Sequence, residues 1–203
     1  MQDIVKQGYE KGDYEKTFRQ NKQPNTFEKG RLDAFLQELP KNAKVLDLGC
    51  GIGIPFDKYL VDRGIKVKGI DISKKHVEMA RKNVSETEFI EGDFSEINFD
   101  EKSYDGILAL YSIFHIHRDQ HKNLLEKVYK TLKDGGVTMI TFGTSGSEYG
   151  EEDNFCGSKM AWSTFEPETY KQFFQEIGFK VIEEKYEGNP GDEEYHYWAL
   201  VRK

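Results

Sequence analysis

Apolar positions along the chain switch repeatedly between a strand-like and a helix-like period. Lys44 to Leu48, Lys66 to Ile70, Thr87 to Glu91, Tyr104 to Leu110 and Val137 to Phe142 are short aliphatic or β-branched runs that read as five strands. Between them Phe56, Tyr59 and Leu60, then Val77, Ala80 and Val84, then Leu125, Val128 and Leu132 fall at helical spacing, one buried stripe each. Upstream, Leu32, Phe35, Leu36 and Leu39 form another stripe that Pro40 stops, because the residue before a proline avoids the helical conformation. Strands alternating with helices in this way predict a parallel sheet with helices on both faces.

The ends of the chain differ from this core. Residues 1–42 read as an N-terminal helical cap carrying Tyr9, Tyr14 and Phe18, and 43–142 as the α/β core. Gly143 to Gly157 mixes Gly, Ser, acidic residues and single aromatics without a period, and is too long for a plain connector in a compact domain. Residues 143–165 are therefore expected to be a lid over a binding site, with surface packing on the last helix as the alternative. In 166–203, Pro167 suits a first helical position, Tyr170, Phe173, Phe174 and Ile177 share a face, and Gly178 ends the helix. Phe179 to Tyr186 and Glu194 to Arg202 then read as strands joined by Gly188, Asn189, Pro190 and Gly191, which makes an antiparallel pair.

Length and charge narrow the class. A chain of 203 residues predicts one domain, large enough to hold itself together without disulfides. The two cysteines, Cys50 and Cys156, lack metal-type spacing and are expected to be reduced. A net charge of −7 argues against bulk attraction to nucleic acid or anionic lipid. No apolar stretch reaches the roughly 18 residues of a membrane helix, and the start lacks the pattern of a secretory signal. The expectation is a soluble cytoplasmic protein with a small-molecule partner and no nucleic acid or membrane; oligomeric state is not legible.

The chemistry begins where the first strand runs into Asp47-Leu48-Gly49-Cys50-Gly51-Ile52-Gly53. Glycines at alternate positions allow positive φ and let a ligand lie against the main chain at the strand's carboxyl end, where α/β sheets bind nucleotides. Two cofactor classes compete. The dinucleotide fingerprint needs a third glycine where Ile54 stands, and Asp47 would set a carboxylate near a pyrophosphate. A sulfonium cofactor bearing an ammonium group reverses that sign. Asp71, ending the second strand, suits ribose hydroxyls in either class, or caps the helix that follows.

Gly69-Ile70-Asp71-Ile72-Ser73, Glu91-Gly92-Asp93-Phe94, Tyr104-Asp105-Gly106-Ile107 with Ser112-Ile113-Phe114-His115, and Leu132-Lys133-Asp134-Gly135-Gly136 follow the glycine turn in order. Over roughly Ala43 to Phe142 this series resembles the class I S-adenosylmethionine-dependent methyltransferases. The resemblance implies a three-layer α/β sandwich around a seven-stranded, mostly parallel sheet with an antiparallel terminal hairpin. It also implies S-adenosylmethionine as cofactor, with Asp47, Gly49, Gly51 and Gly53 around the methionine part and Asp71 at the ribose. Ile72 would meet the adenine face, Asp93 and Phe94 its edge, and Leu110 would line the cofactor. The Asn/Asp-Pro-Pro-aromatic signature of nucleobase methylation is absent; Ala109-Leu110-Tyr111-Ser112 stands there.

Methyl transfer asks for alignment, desolvation and sometimes a base. His115 is the expected base or acceptor contact, titrating near 6.5 if unperturbed, with a helix-capping role as the alternative. Tyr14, Tyr111, His115 and Trp162 are the expected acceptor-binding residues, and Arg19 offers a cation to a cofactor or acceptor carboxylate. His115, His117 and His121 lack a partner spaced to complete a metal site, so no metal is expected. The expected activity is methylation of a small molecule at oxygen, nitrogen or sulfur. A non-catalytic S-adenosylmethionine-binding module, a protein or RNA methyltransferase and a nucleotide-dependent oxidoreductase are the alternatives.

Overall fold

The computed structural model describes residues 1–19, 23–192 and 195–203. The first strand, β1 (Lys44–Leu48), is buried on both faces, as in a sheet covered by helices on each side. It pairs in parallel with β2 (Lys66–Asp71) and with β4 (Tyr104–Ala109). β3 (Glu88–Glu91) lies outside β2, and β5 (Leu132–Gly143) outside β4. The final strand, β9 (His196–Arg202), enters antiparallel between β5 and β8 (Lys180–Glu187). Among the described residues the order is β3-β2-β1-β4-β5-β9-β8. This is the seven-stranded architecture expected; Glu194, read as the start of the last strand, lies outside the described residues.

Strand alternation builds the two cores. Leu46 and Leu48 of β1 join Ile70, Ile107 and Ile140 on the face covered by α6 (His121–Thr131) and α7 (Pro167–Ile177). Val45 joins Val67, Leu108, Met139 and Leu200 on the face covered by α3 (Thr26–Gln37) and α4 (Phe56–Val61). α3 starts at a capping box, with the Asn25 side chain accepting from Glu28 N and Glu28 from Asn25 N. α5 (Lys74–Asn83) follows β2, its first turn capped by Ser73 accepting from His76 N. α7 has its proline in the first turn and ends at Gly178 with φ 104°. Leu132, placed on a helix by its spacing, instead opens β5; it is buried with Leu125 and Val128 either way.

The segment without a period is a β-hairpin: β6 (Gly150–Phe155) pairs antiparallel with β7 (Ser158–Trp162). Its two turn residues, Cys156 and Gly157, have φ 51° and 85°, the left-handed pair that a two-residue hairpin loop requires. Glu151 to Asn154 are all exposed, so no alternation marks the strand. The hairpin is held by tertiary contact, through Met160 and Ala161 buried with Val5 of α1 (Gln2–Lys11). α1 is followed by the short α2 (Tyr14–Phe18), and both lie across the carboxyl end of the sheet. Lys75 of α5 fastens them, reaching Gly12 O at 2.6 Å and Glu15 at 2.9 Å, and Lys6 pairs with Glu91 at 3.0 Å.

Candidate active site

Register builds the site. Leu48 lies opposite Ile70, so the glycine turn leaves β1 where Asp71 ends β2, and both Gly49 N and Cys50 N donate to Ile70 O. Asp71 is not the helix cap. Its Oδ2 accepts from Gly51 N at 2.8 Å and its Oδ1 from Ser73 N at 2.9 Å, so one carboxylate joins the turn to the start of α5. On the other side of β1, Ser112 Oγ donates to Leu48 O at 2.6 Å and brings the end of β4 against the turn. Tyr111 there has φ 53°. Chains leaving β1 to opposite sides open a crevice at this point.

A cavity of about 70 Å³, open on one side to solvent, lies in the crevice. Gly49, Gly51, Asp71, Ile72, Asp93, Phe94 and Leu110 line it, as do Tyr14, Tyr111 and His115. Asp47, Gly53 and Trp162 do not. Gly53 packs against Phe89, Val84 and Ala80, where a Cβ would stand 3.2 to 3.4 Å away. Trp162 packs on Phe155, with its ring centroid 6.1 Å from that of His115. The sequence reading left out Phe56 and His76. Both line the cavity, and His76 sits in the first turn of α5, its N donating to the Ser73 cap.

The glycines differ in purpose. A Cβ on Gly49 would stand 2.3 Å from Ser112 Cβ, so that glycine serves the packing of two strand ends. A Cβ on Gly51 would meet nothing within 4 Å; the space is open to a ligand.

Asp47 and Asp57 are both buried behind the turn, facing each other. Burial and then the Asp47 carboxylate push Asp57 well above the usual carboxylate range. Asp47 itself is pushed up to about 6, by burial first and by Asp71 as well, with Asp57 opposing.

His115 is fully committed. Its Nδ1 lies 3.0 Å from Ala161 O of β7 and its Nε2 2.7 Å from Tyr9 Oη of α1, joining the hairpin to the helix that lines the cavity. Burial lowers it to about 4, so an ordinary titration near 6.5 does not occur. It caps no helix; His117 accepts from Asp119 N instead. His121 is a core residue between Tyr170 and Ile116 O. Among the described residues no group of three or more His, Cys, Asp or Glu is placed to hold a metal.

Arg19 enters from α2, its guanidinium 5.0 to 5.6 Å from the rings of Phe56, Tyr111 and Tyr14 and 3.8 Å from Glu28. Tyr111 Oη donates to Glu187 at 2.6 Å, and Trp198 Nε1 donates to the same carboxylate at 3.0 Å.

Residues 45–136 match the model of a methyltransferase domain. Over this stretch, a little under half of the chain, the protein is similar to that family. It is 25% identical over 183 residues to a sterol 24-C-methyltransferase of Clavispora lusitaniae, covering 83% of this chain and 48% of that protein. It is 29% identical over 153 residues to a phosphoethanolamine N-methyltransferase of Plasmodium falciparum, covering 73% and 58%. The chain thus spans about half the length of these relatives. Among solved structures, the CcbJ methyltransferase of Streptomyces caelestis superposes with a TM-score of 0.74 over 98% of both chains at 17% identity, a likeness of fold.

Proposed function

We propose that this chain is a class I methyltransferase that transfers the methyl group of S-adenosylmethionine to a small-molecule acceptor. One observation carries the reading: β1–β2 register sets Gly51, with open space above its Cα, beside a carboxylate that already grips the turn. The residues present fit the cofactor. Ile72 and Phe94 give apolar walls for adenine, Asp93 its edge, Asp71 has lone pairs for ribose hydroxyls, and Gly49 and Gly51 admit the methionine part. Leu110 closes the wall beyond the turn, and Arg19 supplies a cation for a carboxylate. Asp47 acts on the ammonium end by its field, and Gly53 by packing the turn.

When bound, the cofactor supplies an electrophilic methyl group on a sulfonium whose departure leaves a neutral thioether. The chain's residues align the acceptor and exclude water. Tyr14, Tyr111 and His115 present acceptor-side surface, and Trp162 supports it from behind through Phe155. Residues 143–165 act as the lid, the hairpin closing against α1, with 1–42 as cap, 43–142 as cofactor core and 166–203 completing the sheet. Cys50 and Cys156 are free thiols, which favours the cytoplasm. No helix among the described residues is long and apolar enough to cross a membrane.

Calorimetry tests the cofactor, and methyl transfer to a metabolite panel read by mass spectrometry tests the acceptor. S-adenosylhomocysteine should bind and NAD should not. Tight NAD binding with no response to either S-adenosyl compound would overturn the reading.

A further inference from the structure

The chain of contacts from Tyr9 through His115 to Ala161 has a direction. Ala161 O can only accept, so His115 Nδ1 carries the proton between them. Nε2 is then bare, and the Tyr9 hydroxyl 2.7 Å away donates to it. With its proton committed, the phenolic oxygen has only lone pairs left, and Tyr9 and His115 both line the cavity. The cavity therefore presents a hydrogen-bond acceptor here, and the group that meets it must bring a proton.

We propose that Tyr9 is the proton-relaying residue of methyl transfer, its Oη taking the proton of a hydroxyl-bearing acceptor while its own proton passes to His115 Nε2. This rests on the methyl-transfer reading above. As the acceptor oxygen bonds to the methyl carbon, the carbon–sulfur electron pair stays on sulfur, and the hydroxyl proton moves to Tyr9 Oη. One positive charge is present before, on the sulfonium, and one after, on the imidazolium. His115 returns its proton to water through Tyr9 once product leaves.

The surroundings suit this. Burial keeps Tyr9 well above its usual range and His115 at about 4, so both rest neutral. The Asp71 carboxylate favours the transient imidazolium, while Tyr14 and His76 pack the Tyr9 ring at 5.2 and 5.0 Å. A base this weak selects the acceptor atom. An oxygen that gains a methyl group before losing its proton is a far stronger acid than imidazolium, whereas a methylated amine, with an ordinary ammonium pKa of about 10, would keep its proton.

Sinefungin, which carries an amine where S-adenosylmethionine carries its methyl group, probes this position without a known acceptor. Its amine should donate to Tyr9 Oη. Calorimetry on the full chain should show Tyr9→Phe, which keeps the ring packing, weakening sinefungin by about tenfold or more while S-adenosylhomocysteine stays within about threefold. Nitrogen NMR should find His115 protonated at Nδ1 only, with the Nε2 resonance shifted in Tyr9→Phe. Equal losses for both ligands, or no change for sinefungin, would assign Tyr9 to packing or to the cofactor and overturn the relay. Failure of the unaltered protein to bind either ligand would overturn the methyl-transfer reading itself.

Discussion

Asp71 Oδ2 accepts the amide proton of Gly51 at 2.8 Å, so the carboxylate that ends β2 also holds the turn that ends β1. A residue expected to meet the ligand is thereby part of the scaffold that shapes its site. Asp71→Ala should therefore act twice. S-adenosylhomocysteine affinity should fall by roughly 1.5 to 3 kcal/mol, and the fold should lose about 1 to 3 kcal/mol as the Gly51 and Ser73 amides lose their acceptor. Calorimetry and urea denaturation read the two separately; a variant weakened in binding alone would show that the turn holds itself.

The two cavity glycines should separate by the same pair of measurements. Gly49→Ala drives a Cβ against Ser112 and should cost several kcal/mol of stability, with loss of soluble protein as the extreme outcome. Gly51→Ala faces open space, so only its φ of 54° is penalised, at about 1 to 2 kcal/mol, and the fold should survive. Its cost should appear as lost cofactor affinity.

Acid should destabilise the protein through its buried histidines. His115 and His121 are each lowered by burial to about 4, below the ordinary 6.5 of the unfolded chain. The unfolded state then binds more protons between these values. The stabilising contribution is complete above about pH 6.5 and drains away as pH falls toward 4, by up to roughly 1.4 kcal/mol per pH unit for each group. Urea midpoints measured from pH 7 to pH 5 should fall, and less steeply in His121→Gln. A slope unchanged by that substitution would show that His121 titrates normally.

The Asp47–Asp57 pair works in the opposite sense. Both carboxyls are raised, Asp47 to about 6, so the stability gained by holding a proton is present in acid and lost as pH rises through the folded values. Asp57→Asn keeps the shape and a donor while removing the ionisable group. It should stabilise the protein at pH 8 by about 1 kcal/mol or more relative to its effect at pH 5. Thermal melts at the two values decide.

The hairpin supplies the test of the lid. Hydrogen exchange across 143–165 should slow when S-adenosylhomocysteine binds, and Trp162→Ala should speed it by loosening the Phe155 contact while leaving cofactor affinity within about threefold. Unaltered protection on binding would make β6–β7 a fixed wall.

Periodicity alone determined the parallel core, because strands buried on both faces and amphipathic helices leave different repeats in the order of residues. Motif order determined the glycine turn and Asp71, since a turn needing positive φ and a carboxylate one strand over are local demands on residue type. What only the tertiary structure decided involves partners far apart in the chain. Asp47 reads as a ligand contact until Asp57 is found facing it, and His115 reads as an ordinary titrating base until Ala161 and Tyr9 enclose it. The β6–β7 hairpin leaves no alternation because its exposed strand faces water, and its order comes from Val5 packing on Met160 and Ala161. Burial and hydrogen-bond direction belong to such long-range pairs, and a local pattern of residues carries no record of them.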